Sequence, residues 1–400
     1  MCFEHFISGI APFLVFIISI CYNTFIKIWR CISKRSAALQ TALQNGQLCI
    51  LIFPAANSIM KTEPKPPKGV FFMEQKALII GEETVKKYLS AEDVLDICEK
   101  TWRWYGEGKV VMPNKITTDM SGLGVAGWFN SMPAYIAPLD TAGLKLVGGY
   151  DGNKALGLPY IKANVVLTDP RTGVLRALVS GDYINDMRTG AQPAIMTKLL
   201  ASSTDVVCFI GTGLMAYYSL FCMAKTLSIR EVRLCDIDDA AKDRFIARFP
   251  DAPFRFVKCA TNEEGCRGAD VIITVTNANA DLVEEPWLKE GSLVMTMGSF
   301  RETSFDVVRK ADKIAVDQVG QSLHRGNVKE LAEMGEINEN SFDIIIPDVL
   351  AGKAQARTSP KERIYAQIIG TGMLDVACAG LLLQKLAESG EQVQRFDMTK

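Results

Sequence analysis

A chain of 400 residues, 48% hydrophobic and 22% charged, is long enough for two domains with sizeable cores, which excludes disorder as its general state. Its formal net charge of −1 and pI near 6.3 supply no global basic field, so no nucleic-acid partner is expected and a small-molecule substrate fits better. Eleven cysteines without C-x-x-C pairs, and only two histidines, His5 and His324, cannot build a His-rich zinc site, so no metal is expected and the thiols read as reduced and buried.

Residues 1–72 differ from the rest. Lys27, Arg30, Lys34, Arg35, Lys61, Lys65 and Lys68 stand against only Glu4 and Glu63, and residues 6–22 form an uncharged apolar run approaching one membrane span. Three readings compete: a signal anchor, a cleaved targeting segment, or an upstream stretch outside the working protein. The basic residues follow the apolar run instead of preceding it, which weakens the secretory reading. The Pro-rich residues 63–68 read as a linker, and Met73 looks like the start of an ordinary soluble domain. The expectation is a dispensable hydrophobic and basic extension on a cytoplasmic protein, with a membrane anchor through residues 6–22 only if the extension is real.

After Ser90, a plausible N-cap, apolar residues at Val94, Leu95, Ile97, Cys98, Trp102 and Tyr105 recur with a helical period. From Val110 to Ala177 short apolar runs broken by Gly, Pro, Asn and Asp read as strands of a mixed sheet, and a helix is predicted through MRTGAQPAIMTKLLA (187–201). From Asp205 strands and helices alternate at βαβ spacing. The run Asp205–Ile210 reads as a strand buried on both faces, with Cys208 and Cys235 as small core residues of successive strands.

That strand ends at Gly211-Thr212-Gly213-Leu214-Met215-Ala216, a G-x-G-x-x-A pattern leading into a helix-like stretch. Gly211 permits the tight turn, Gly213 lets backbone approach a pyrophosphate, and Ala216 lets the helix pack close to its strand. The diphosphate would then lie at a helix N-terminus, where free N–H groups and the dipole favour anions. Asp236 ends the next strand where a ribose-binding acid belongs, and a carboxylate there favours NAD over NADP. Arg233 points the other way, although it lies within the strand. Thr274 and Thr276, followed by Asn277, close a later strand at the carboxyl edge of the sheet.

The stretches MPAYIA (132–137), GLKLVGGYDGNKALGLP (143–159), DPRTGVLRAL (169–178) and MRTGAQPAIMTKLLA, followed by FIGTG, resemble the ornithine cyclodeaminase, mu-crystallin and archaeal alanine dehydrogenase family from about Met73 to Leu386. The resemblance implies that Lys145 and Arg188 meet the substrate as catalytic and substrate-binding groups. Lys115, in MPNK, stands where the family has a further substrate arginine, which changes a fork into a point charge. It also implies cofactor contacts from Gly298 and Ser299, and from Asp317 near the cofactor edge. In the loop 297–302 Phe300 replaces the aspartate that cyclodeaminases carry, so the loop looks more like that of the dehydrogenase and ketimine reductase members, with Glu302 as a substitute acid only if the loop bends inward.

The fold class expected is α/β: a Rossmann NAD-binding domain over residues 202–347, and a mixed α/β substrate-binding and dimerisation domain over 73–201 with 348–390. The favoured activity is hydride transfer at the α-carbon of a small amino acid or a linear or cyclic imino acid. Arg188 and Lys115 hold the carboxylate and Lys145 acts as acid/base. A true cyclodeaminase with catalytic NAD, and a non-catalytic nucleotide or small-ligand binding protein, remain as alternatives. The resemblance implies a homodimer.

Overall fold

The computed structural model describes residues 76–398; the apolar run at 6–22 and the rest of the extension lie outside them. Among the described residues no helix is long and apolar enough to cross a membrane.

The first sheet is mixed. β1 (Lys76–Ile80) leads into α1 (Glu82–Tyr88) and α2 (Ala91–Gly106). Ser90 caps α2 through a reciprocal box: its hydroxyl accepts from the Asp93 N–H at 3.1 Å, and the Asp93 carboxylate accepts from the Ser90 N–H at 2.9 Å. The periodic apolar residues Val94, Leu95, Ile97, Cys98 and Trp102 are all buried. Then come β2 (Val110–Val111), β3 (Ile116–Asp119), β4 (Gly127–Ile136), β5 (Thr141–Tyr150), β6 (Ile161–Thr168) and β7 (Leu175–Ser180). The late strand β16 (Arg395–Asp397) completes the order β16-β1-β7-β6-β5-β4-β2, with β3 also on β4. The strands expected between Val110 and Ala177 are these antiparallel neighbours.

From β7 the chain enters α3 (Asp182–Leu200) and then a second sheet: β8 (Val206–Ile210), β9 (Glu231–Cys235), β10 (Arg255–Lys258), β11 (Val271–Thr274), β12 (Leu293–Met297), β13 (Lys313–Val316), β14 (Ile344–Ile345) and β15 (Ile364–Ile368). All are parallel, in the order β10-β9-β8-β11-β12-β15-β13-β14. Strand order reverses between β8 and β11, the switch point at which such sheets open a crevice for a ligand. Every residue of β8 is buried, Cys208 included, and so is Cys235 in β9.

Two boundaries differ from expectation. β15, the run IYAQI, is buried along its length and inserts between β12 and β13, so the nucleotide-binding sheet ends beyond residue 347. β16 carries the first sheet beyond residue 390. Between them α6 (Gly372–Ser389), the last of the helices that matter here after α4 (Leu214–Thr226) and α5 (Asp239–Ile246), leaves the edge of the second sheet. It packs on β4, β5 and β6 and against α2 and α3. The first turn of α6 therefore lies where the two sheets meet.

Candidate active site

The carboxyl edge of the second sheet gathers most of the nucleotide residues expected from the sequence. Gly211 has φ +93°, and a Cβ there would lie 2.7 Å from the Val275 carbonyl oxygen, so the turn requires glycine. Gly213 is the N-cap of α4 with open space where a side chain would stand, and no side chain caps the first turn. The leading N–H groups, from Leu214 and Met215 onward, thus face a cradle suited to a diphosphate. Ala216 is fully buried beneath them.

Asp236 follows β9. Its Oδ2 accepts from the Thr212 N–H at 2.8 Å and the Thr212 hydroxyl at 2.7 Å, and its Oδ1 accepts from the Asp238 N–H at 3.0 Å. A carboxylate offers about four lone-pair sites, so one remains for a ribose hydroxyl. Arg233 does not compete for a phosphate there: its guanidinium donates to Glu231 and to the carbonyls of Gly265 and Arg267. On the far side of β8, Thr274 is buried at the end of β11, Thr276 and exposed Asn277 form the turn after it, and Gly298 and Ser299 follow β12. The donor set and the open cradle fit a dinucleotide.

The loop after β12 does bend inward at Glu302. The carboxyl is fully buried but engages the nucleotide edge: Oε2 accepts from the Thr274 hydroxyl at 3.1 Å, and Oε1 from the Thr276 N–H and hydroxyl at 2.7 and 2.8 Å. Burial pushes its pKa up to about 7 against those hydrogen bonds. Glu302 makes no hydrogen bond to Lys145 or Arg188, and Phe300 stays half exposed.

Asp317 is a structural tie as well as a residue of the sheet's carboxyl edge. Following β13, it is wholly buried; Oδ2 accepts from the Gly370 N–H at 2.8 Å and Gln192 Nε2 at 3.3 Å, and Oδ1 from the Ile369 N–H at 3.3 Å. Its oxygens hold the turn after β15 and α3, so it ties these elements together at the carboxyl edge of the sheet.

The two cations expected at the substrate meet on a third group that the sequence reading missed. Lys145, fully buried on β5, lies 2.6 Å from Asp375 Oδ1 and donates to Asn185 Oδ1 at 2.7 Å. Arg188 on α3 places Nε 3.1 Å from Asp375 Oδ2 and donates to Gln192 Oε1 at 3.0 Å through Nη1 and to Asn185 Oδ1 at 2.8 Å through Nη2. Asn185 and Gln192 stand three residues before and four after Arg188, on its side of the helix. A guanidinium carries five N–H donors, so about two remain for a ligand. Gly370 keeps that space clear, because a Cβ there would sit 2.8 Å from Nη1. Burial, then the Arg188 charge, lowers the Lys145 pKa to about 8 in spite of Asp375.

Lys115, partly buried just before β3, donates to the Ile369 carbonyl at 3.0 Å. Burial first, then the charge of Arg325, lowers its pKa to about 7, with Arg188 and Lys145 also contributing. The three predicted cations are thus brought into one electrostatic neighbourhood. Asp375 had one signal in the sequence: it is the sole charged residue between Gly370 and Leu383.

The family profile described as ornithine cyclodeaminase/mu-crystallin family matches residues 75–390. The chain belongs to the ornithine cyclodeaminase/mu-crystallin family. Within that family it is similar to the alanine dehydrogenase of Archaeoglobus fulgidus, at 30% identity over 316 residues, covering 77% of this chain and 95% of that protein. An archaeal alanine dehydrogenase dimer with bound NAD superposes with a TM-score of 0.75 at 28% identity, covering 81% of this chain and 99% of the other. The Δ1-pyrroline-2-carboxylate reductase of Thermococcus litoralis, in complex with NADH and L-proline, gives 0.74 at 25% identity, covering 79% and 99%.

Proposed function

We propose that this member of the ornithine cyclodeaminase/mu-crystallin family is an NAD-dependent oxidoreductase that interconverts a small amino acid and its imino acid, working as a homodimer. The observation that carries this reading is the buried Lys145–Asp375–Arg188 cluster at the junction of the two sheets, adjoining an α4 N-terminus shaped for a dinucleotide. NAD, when bound, takes or gives the hydride at the substrate α-carbon. The two free donors of Arg188 and the ammonium of Lys115 hold the carboxylate. With a pKa near 8, Lys145 can lose or return a proton close to neutral pH, which suits an acid/base at the substrate nitrogen. In the oxidative direction the α-carbon hydrogen leaves with its electron pair, the nitrogen gives a proton to neutral Lys145, and a C=N bond forms. Asp375 keeps the lysine ammonium and the guanidinium from repelling each other. Arg188, Lys115 and Lys145 thereby orient the substrate, which is most of what a cofactor enzyme asks of its protein.

The engagement of Glu302 with Thr274 and Thr276 argues against its acting as the extra acid of a cyclodeaminase. The test is NADH absorbance with pyruvate plus ammonia, or with a cyclic imino acid, for wild-type protein and Lys145→Met. Wild type should oxidise NADH. Lys145→Met should bind NADH normally while kcat falls roughly 10²- to 10⁴-fold. A kcat within a few-fold of wild type would remove Lys145 from the chemistry, and ammonia release from ornithine without net NADH change would assign the cyclodeaminase reaction instead.

A further inference from the structure

Arg325 belongs to none of the groups just described, yet it borders the same site. It is the N-cap residue of the helix Gly326–Glu333, and its backbone is fixed on both sides: its carbonyl accepts from Gln367 Nε2 at 3.0 Å, and the Gly326 N–H donates to the Ser299 carbonyl at 3.3 Å. The segment is thereby pinned beside the cofactor loop 298–299. From there the side chain reaches the first sheet, where Nη2 donates to the Thr117 hydroxyl at 2.6 Å. Thr117 in turn donates to the buried Asn130 Oδ1 at 2.6 Å. Thr117 and Lys115 are two residues apart in extended chain, so they present to the same side. Arg325 thus comes up beside Lys115, and its charge helps lower the Lys115 pKa.

The charge balance is uneven. Lys145 and Arg188 share Asp375. Among the described residues neither Lys115 nor Arg325 has a carboxylate within ion-pair distance; their side-chain partners are the neutral Ile369 carbonyl and Thr117 hydroxyl. Asp317 offsets part of the charge at Lys115, but it pairs with neither head group, and two cations held side by side without a paired acid are costly unless a ligand supplies anions. One carboxylate, at Arg188 and Lys115, satisfies the substrate reading already given; it leaves the Arg325 guanidinium, with four donors still free, unmatched.

We propose that Arg325, with Thr117 positioning it, forms a second carboxylate subsite, so that the preferred substrate is a short α-amino or α-imino dicarboxylate. The inference rests on the oxidoreductase reading for its turnover assay but not for its binding assay. In the first assay, kcat/KM with NADH and ammonia is compared for oxaloacetate and 2-oxoglutarate against pyruvate. Wild type should favour a dicarboxylate. Arg325→Gln should lower the ratio of dicarboxylate to pyruvate kcat/KM by about ten- to a hundredfold, the range expected for losing a charge-assisted hydrogen bond. Arg325→Lys should restore part of it. A wild-type preference for pyruvate, or an unchanged ratio in Arg325→Gln, would overturn the subsite. In the second assay, thermal protection of the NADH-bound full chain by succinate is compared with that by propionate. Stronger protection by succinate, lost in Arg325→Gln, supports the subsite even if no oxo acid turns over. Equal protection by the two acids overturns it.

Discussion

Lys115 gives the proposed carboxylate site its most direct test. An arginine stays charged at any working pH, whereas burial and Arg325 bring the pKa of this lysine down to about 7. Binding of a carboxylate needs the ammonium form. In the reductive direction kcat/KM should therefore fall as pH rises through about 7, because this parameter reports groups of the free enzyme. The proton delivered by Lys145 should make kcat fall on rising through about 8, and in the oxidative direction, where Lys145 must be neutral, kcat should rise through the same region. Lys115→Arg should abolish the fall near pH 7 and leave the limb near 8. Persistence of the lower limb in that variant would show that another group is responsible. Glu302, held near 7 by burial, is the obvious rival, and it would act through the nucleotide edge.

At the scale of elements, α3, which carries Arg188, packs along α4, which starts at the glycine turn. Gly190 lies two residues beyond Arg188, and a Cβ there would fall 2.4 Å from the carbonyl carbon and oxygen of Tyr218 on α4. Two effects oppose each other in Gly190→Ala. Removing a mid-helix glycine stabilises by roughly 0.5–1 kcal/mol. Pressing a methyl group into backbone, which cannot rotate away, costs about 1–3 kcal/mol. The clash should win, lowering Tm, and because α3 holds Arg188 while α4 begins at the dinucleotide cradle, KM for both substrate and NADH should rise. A higher Tm would mean that the helices separate without cost. The sequence made much of this level legible, since the glycine fingerprint, the strand before it and the MRTGAQ segment are local patterns. It did not reveal β15, whose five residues follow a Lys- and Arg-rich stretch and read equally well as a lead-in to the last helix. Nor did it reveal Asp375 or Arg325 as partners. Their roles come from which elements the fold brings together, across gaps of 187 residues for Arg188 with Asp375 and 208 for Arg325 with Thr117, and no local period encodes that.

At the scale of the whole molecule, one face of the first sheet is left over once α6 covers the other. Strand register places Pro133 of β4 opposite Leu144 of β5, Leu144 opposite Val166 of β6, Val166 opposite Leu178 of β7, and Leu178 opposite Ile79 of β1. These five residues form an apolar row across the sheet. Their alternating neighbours Ala134, Leu167, Ala177 and Ile80 are the buried ones, so the row points away from the core. None of the five is fully buried, and Leu178 is 39% exposed. A solvent-facing sheet surface normally alternates to polar residues, and an apolar row instead marks an interaction surface. The self-association proposed for this protein has its natural seat here, because a row crossing several strands can meet its own copy about a two-fold axis. Leu144→Asp places a charge at the centre of the row without touching the buried face, where Lys145 begins the site. Size-exclusion chromatography with light scattering should show wild type as a dimer and the variant as a monomer, with an unchanged circular dichroism spectrum. A dimer that survives the substitution would place the interface on another surface.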